Sequence, residues 1–195
     1  WAGNPGVGLL RAFRRAVESG ALEIEEYTHF GMTCRLMAGA ANLPFFPLRS
    51  HPGELAEHNP PIRSVTCPYT GLAVQVVPAL NPDVAVIHAQ RADRHGNAHI
   101  WGIVGEQKEV ALASRRVILT VEEIVPDHVI ASDPNRTIIP GFVVDAVVEE
   151  PWGAYPSYAQ GYYDRDNEAY LEWDQISRTE ESLRAWLEEW VYGVK

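Results

Sequence analysis

Apolar and polar positions alternate with two different periods along this chain, and the switches between them outline its elements. In "GLLRAFRRAVESG" the residues Leu9, Leu10, Phe13, Ala16 and Val17 recur at three-to-four spacing with Arg and Glu opposite. That is the pattern of a surface helix, with Gly20 placed as its C-terminal cap. "ALEIEEY" alternates Leu22 and Ile24 with Glu23 and Glu25, which predicts a half-buried strand. Thr28 then stands where it can cap a helix running to about Ala41. Four β-branched runs follow, Val74 to Val77, Val84 to His88, Val117 to Val121 and Phe142 to Val148. A helix from about Gln107 to Ser114 separates the second and third of these strands.

Near-continuous apolar strands interleaved with helices argue for an α/β fold, an open and mostly parallel sheet with helices on both faces. Between Leu43 and Pro68 no period is sustained, and this Pro-, His- and Asn-rich stretch predicts a long ordered loop. The texture changes again after Glu150, where "PWGAYPSYAQGYYDRDNEAY" gathers aromatics without a period. Tyr170, Trp173, Ile176, Leu183, Trp186, Leu187, Trp190 and Val191 then return to helical spacing, with Thr179 able to cap the final helix. The division this predicts is an α/β domain over residues 1–150, incomplete at its amino end, and an aromatic arm with docking helices over residues 151–195.

Length and charge narrow the function classes. A chain of 195 residues fits one hydrophobic core. No charge-free apolar run approaches the ~18 residues of a membrane span, so no membrane partner is expected. The formal charge is −10 and the basic residues are scattered, an arrangement that argues against nucleic acid as a partner. Cys34 and Cys67, too few and too far apart for a disulfide framework, fit a reducing cytoplasm. The chain opens on Trp1 without an initiator Met or a signal peptide, which reads as the remainder of a longer chain.

The chemistry-bearing residues concentrate at the ends of predicted strands. "HAQRADRHGNAHIWG", from His88 to Gly102, follows the strand "DVAVI", and ligands of open α/β sheets bind beyond the carboxyl ends of strands. His88, Gln90 and Asp93 are therefore candidates for a cleft. His95 and His99 flank Gly96 and Asn97, a spacing that suits a turn with one residue at positive φ better than a metal site, and no metal is expected. Thr28 and His29 occupy a strand-to-helix corner where an anion or acyl group can be met, and N-capping explains Thr28 equally well. Arg49, followed by Ser50, can offer a guanidinium to a carboxylate or phosphate. Cys34 reads as a core thiol. Glu122 and Glu123 are adjacent on a strand and so point to opposite faces, leaving at most one for a cleft. The motifs GxSxG, GxGxxG and HExxH and the P-loop are absent.

"PALNPDVAVIHAQRADRHGNAHIWG" and "KEVALASRRVILTVEEIV", together with "AYPSYAQGYYDRDNEAY" and "EEWVYGV", resemble the A-type half of family I coenzyme A transferases, most closely the glutaconate CoA-transferase branch. The resemblance implies the fold shared with ribose-5-phosphate isomerase and glucosamine-6-phosphate deaminase, and a B-type partner in a heterodimer or heterotetramer. It implies acyl-CoA and a small carboxylic or dicarboxylic acid as substrates, with coenzyme A as a substrate and no permanently bound cofactor. A glutamate of the B-type partner would attack the thioester and carry CoA as a glutamyl thioester, so no catalytic nucleophile is expected in this chain. The corner "EYTHFG", the loop "PLRS" and the strand end "HAQRAD" would line the acyl pocket, with Thr28, His29, Arg49, Ser50, His88 and Gln90 as substrate-binding residues. The alternatives are the A-type half of a related hydrolase that opens a CoA-linked ring, and a non-catalytic small-molecule-binding module.

Overall fold

The computed structural model describes residues 11–49 and 55–193, which fall into two compact units. One comprises residues 26–154 with 159–164, and the other residues 11–25 of the described chain with 155–158 and 165–193.

The larger unit holds two sheets. The first in the chain is a small antiparallel one of order β1-β3-β2, made of β1 (Phe45–Leu48), β2 (Arg63–Thr66) and β3 (Ala73–Pro78). The second has five strands: β4 (Ala85–Ala92), β5 (Ala98–His99), β6 (Val117–Ile124), β7 (Thr137–Ile139) and β8 (Ala146–Glu149), arranged β7-β5-β4-β6-β8. β4, β6 and β8 run parallel, with Ala85 opposite Val117 and Ile118 opposite Ala146, while β5 and β7 close one side antiparallel.

Alternation sorts the residues of the parallel strands. Ala85, Ile87 and Ala89 of β4 and Val117, Leu119 and Val121 of β6 form the core face, packed with Ala111 of helix α4 (Gln107–Ala113). On the other face lie Val86, which is 69% exposed, and Val148 of β8, 44% exposed, and toward the carboxyl end of that face come His88, Thr120 and Glu122.

Helix α2 (His29–Ala40) begins at the expected cap: the amide of Gly31 donates to Thr28 Oγ1 at 2.9 Å. Small residues let its far end approach the sheet connections. A Cβ on Gly39 would stand 2.2 Å from the Leu80 carbonyl oxygen and 3.1 Å from Ala113 Cβ. Asn81 Nδ2 donates to the Ala113 carbonyl at 3.0 Å, fastening the same end of α4. At the other end Thr33 of α2 meets Glu106, which precedes α4. The two helices are thus parallel, and because α4 leads back to the start of β6, their amino ends lie toward the carboxyl edge of the sheet.

Several sequence expectations fail here. No strand forms at "ALEIEEY"; residues 21–27 make no ladder, with a bend at Leu22, and Leu22 and Ile24 stay exposed, because alternation supplies a strand only where a partner edge exists. The expected loop from Leu43 to Pro68 contains β1, β2 and the helical turn α3 (Leu55–His58). Leu48 and Ile62 are buried with Cys34 and Val77, a long-range pairing that no local period announces. At the start of the strand expected from Phe142, a 3-10 turn spans Gly141–Val143 and β8 begins only at Ala146. Residues 9 and 10 and Ser50 lie outside the described residues.

The smaller unit joins α1 (Arg11–Glu18) to α6 (Asn167–Ile176) and α7 (Glu180–Leu187), which continues into a π turn at Glu188–Tyr192; the remaining helix, α5 (Asp127–Ala131), belongs to the larger unit. Arg11 pairs with Asp174 at 2.8 Å, Trp173 meets Trp186 edge to face at 5.1 Å, and Thr179 caps α7 in a reciprocal box with Ser182.

Gly39→Ala tests the helix seat. Since a backbone carbonyl is the clashing atom, we expect a loss of about 1–3 kcal/mol, read as a lower urea midpoint with an unchanged slope.

Candidate functional site

The polar stretch at the end of β4 resolves into a tight turn and two anchored histidines. Asp93 accepts from the amides of His95 and Asn97 at 2.9 and 3.0 Å and from Asn97 Nδ2 at 2.8 Å, and Gly96 takes the positive φ of 86°. His95 points out, 3.4 Å from Asp127. His99 is fully buried, its Nε2 bonded to the Ile130 carbonyl at 3.1 Å and its Nδ1 accepting from Arg91 Nε at 3.2 Å. Burial, which outweighs the bond to Ile130, pushes the His99 imidazole below its ordinary pKa. Among the described residues no three His, Cys, Asp or Glu side chains gather as metal ligands would.

The strongest polar cluster centres on Glu122. Its carboxylate, 4% exposed, accepts from His88 Nε2 at 2.6 Å and Tyr163 O–H at 2.6 Å on one oxygen, and from the Trp152 amide at 2.8 Å on the other. Because a carboxylate only accepts, His88 carries its proton on Nε2, while Nδ1 meets the Thr120 hydroxyl at 2.9 Å. The Trp152 ring stacks on Tyr163 with centroids 4.3 Å apart, and Gly153 lies so close over His88 that a Cβ there would approach Nδ1 to 2.7 Å. One residue on, Glu123 accepts from Tyr162 O–H at 2.5 Å. The adjacent glutamates thus face opposite sides of β6, as their spacing requires, and the adjacent tyrosines Tyr162 and Tyr163 meet them one on each side.

Burial alone would raise the Glu122 carboxyl, but the bonds from Tyr163, the Trp152 amide and His88, with the charge of His88, hold it below its ordinary value. Tyr163, desolvated and bonded to that carboxylate, is pushed up to about 12, and Tyr162 rises as well. Both phenols remain protonated donors at neutral pH.

The expected binding residues divide by what their side chains do. Thr28 caps α2. Gln90, buried, donates from Nε2 to the Trp101 carbonyl at 3.0 Å and accepts the Trp101 amide at 3.4 Å, clasping the chain beyond β5. His88 has both ring nitrogens engaged with β6. Arg49 is exposed at the end of β1, and Ser50 lies outside the described residues. His29, with its side chain 64% exposed, stands 3.3 Å through Nδ1 from Glu106 Oε1, the same oxygen that accepts Thr33 Oγ1 at 2.9 Å. Glu106, Thr33, Thr120 and Tyr163 were not legible as site residues, because each acts through a partner distant in sequence.

Glu122→Gln removes the charge without removing the shape. A folded value held below the unfolded one stabilises above the ordinary glutamate pKa, and that stabilisation fades as pH falls through the depressed folded value. We expect the variant to lose about 1–3 kcal/mol at pH 7, and the gap between variant and wild type to narrow below the ordinary value of 4.5, as urea midpoints at the two pH values would show.

Comparison with known proteins puts this architecture in a family. The sequence profile for coenzyme A transferase matches residues 5–150. The chain is 49% identical over its whole length to the A-type chain of the 3-oxoadipate CoA-transferase of Pseudomonas knackmussii, covering 70% of that protein. It is 35% identical to the A-type chain of the glutaconate CoA-transferase of Acidaminococcus fermentans, again over its whole length and 67% of the relative. The crystal structure of the Acidaminococcus fermentans enzyme superposes with a TM-score of 0.91 at 34% identity, covering 100% of this chain and 66% of that one. A variant of the decarboxylase AibA/AibB superposes over 91% of the chain and 66% of its own length, with a TM-score of 0.76 at 36% identity. The chain therefore spans about two-thirds of the length of these relatives, and it belongs to the coenzyme A transferase family.

Proposed function

We propose that this chain is the A-type half of a cytoplasmic CoA transferase that moves CoA between an acyl-CoA and a small dicarboxylic acid. The observation that carries the reading is the 49% identity, across the whole chain, to the A-type chain of a 3-oxoadipate CoA-transferase. The glutaconate enzyme, similar over the same span, is likewise named for an acid with two carboxyl groups. No helix among the described residues is long and apolar enough to cross a membrane.

The chemistry divides between two chains. A glutamate of a B-type partner attacks the acyl-CoA thioester carbonyl, expelling the CoA thiolate and leaving a mixed anhydride. The thiolate returns to the glutamyl carbonyl, releasing the first acid and leaving a glutamyl thioester, from which the acceptor acid takes CoA by the reverse steps. This chain contributes a wall of the acyl pocket at the carboxyl edge of its sheet. Arg49 and His29 are its exposed cationic or hydrogen-bonding groups, with Ser50 beside Arg49. Thr28, His88 and Gln90 support that wall through the bonds they make to their own backbone and strands.

The test is to co-express the chain with a B-type partner and assay CoA exchange. We expect acceptor-dependent exchange, inactivation by borohydride after incubation with acyl-CoA, and a rate for the chain alone at least about 10³-fold lower, the scale of losing a covalent nucleophile. Release of free CoA without an acceptor, at the rate seen with one, would replace transfer by hydrolysis. Neither exchange nor release would reduce the chain to a binding module.

A further inference from the structure

Four large apolar side chains stand in water at the carboxyl edge of the five-stranded sheet. Phe142 is 86% exposed, Ile103 81%, Phe30 65% and Trp152 59%. Topology puts all four on that edge. Phe142 lies in the turn whose Gly141 amide donates to Asn97 Oδ1 at 2.9 Å, against the loop that follows β4. Ile103 precedes α4 and Phe30 is the second residue of α2, and the amino ends of these parallel helices lie toward the same edge. Trp152 follows β8 and gives its amide to Glu122 near the end of β6.

The backbone holds at least three of them out. A Cβ on Gly141 would stand 2.2 Å from the His95 carbonyl oxygen, so the turn that carries Phe142 is pressed onto the chain beyond β4. Ile103 is bracketed by Gly102 and Gly105, at φ of 89° and 57°. Gly102 is itself packed on Gln160, whose Oε1 would lie 2.2 Å from a Cβ there. Trp152 has a φ of 66°, a left-handed conformation that strains a bulky residue, and its stack on Tyr163 still leaves most of it in water. Apolar groups kept rigidly in solvent cost the lone chain and favour association, because little freedom is left to lose when a partner covers them. Exposed polar residues stand beside them, Arg94 and the His95–Asp127 pair, as at the rim of an interface.

The relatives indicate what covers this edge. They are A-type subunits, and a subunit so named has a companion. In the reaction proposed above, the attacking glutamate comes from that companion and must reach the carboxyl edge, so the surface there lies against the companion during reaction. We infer that Phe30, Ile103, Phe142 and Trp152 are the apolar anchors through which this chain docks its B-type partner. The inference rests on the transferase reading and adds to it the surface that joins the two chains.

The test measures the affinity of the full chain for the companion chain of the Pseudomonas knackmussii 3-oxoadipate CoA-transferase by titration calorimetry. Ile103→Asp and Phe142→Asp should each raise Kd about tenfold or more, the scale of losing one anchor. Ile103→Ser and Phe142→Ser, which remove apolar surface without adding charge, should weaken binding in the same direction. Tyr69→Asp is the control: Tyr69 is 94% exposed between β2 and β3, away from the carboxyl edge, and its variant should bind within about twofold of wild type. Urea midpoints of the lone variants should match wild type, since these side chains are already in water. No complex with the wild-type chain, unchanged affinity in both Ile103 and Phe142 variants, or an equal loss in Tyr69→Asp overturns the inference. Self-association of the lone chain that Ile103→Asp and Phe142→Asp abolish would make a second copy the occupant and overturn it too. A complex that depends on these residues but exchanges no CoA would end the transferase reading and leave the surface standing.

Discussion

A buried carboxylate is the constraint around which the sheet's carboxyl end is arranged. Glu122 has lost nearly all its water, and an ionised group in that position is tolerated only if hydrogen bonds replace the solvent. Three donors do so: a phenol, a backbone amide and an imidazole. Each brings a distant part of the chain to β6. Tyr163 and Trp152 come from beyond β8, and His88 from the neighbouring parallel strand. The close approach of Gly153 to the His88 ring follows from the same demand, since the amide that reaches Glu122 belongs to the residue before it.

That arrangement separates the histidines by duty. His88 and His99 are both tied at both ring nitrogens, one by β6 side chains and the other between Arg91 and the Ile130 carbonyl. They serve as fixed pieces of the sheet's two faces. His29 is exposed, as are His58, His95 and His128, and its acidic partner Glu106 stands just ahead of a neighbouring helix. The placement of that pair depends on the opposite ends of α2 and α4, where Gly39 and Asn81 set how closely the helices pack and therefore how their amino ends align.

The parts of this molecule that repeat locally were legible. The caps at Thr28 and Thr179, the strands expected at 84–88 and 117–121, the helix at Gln107 and the positive φ of Gly96 follow from residue type and period over a few positions, although β4 runs on to Ala92 and β6 to Ile124. So did the opposed directions of Glu122 and Glu123. The antiparallel β1-β3-β2 sheet was not legible, because β2 is exposed at all four positions and β1 contains a proline. Such strands exist only by virtue of the edges they pair with. Conversely, "ALEIEEY" had the pattern of a strand and no edge to complete it.

By itself, then, the amino-acid sequence determined the capped helices, the central parallel strands and the family, since these depend on local spacing and on motifs carried in continuous stretches. Only the tertiary structure decided which carboxylate is buried, which histidines are buried and that Glu106 addresses α2 instead of its own helix. Those outcomes depend on which distant donors arrive within about 3 Å, and hydrogen-bond distances of that kind are set by packing across the sheet and between helices, not by neighbours along the chain.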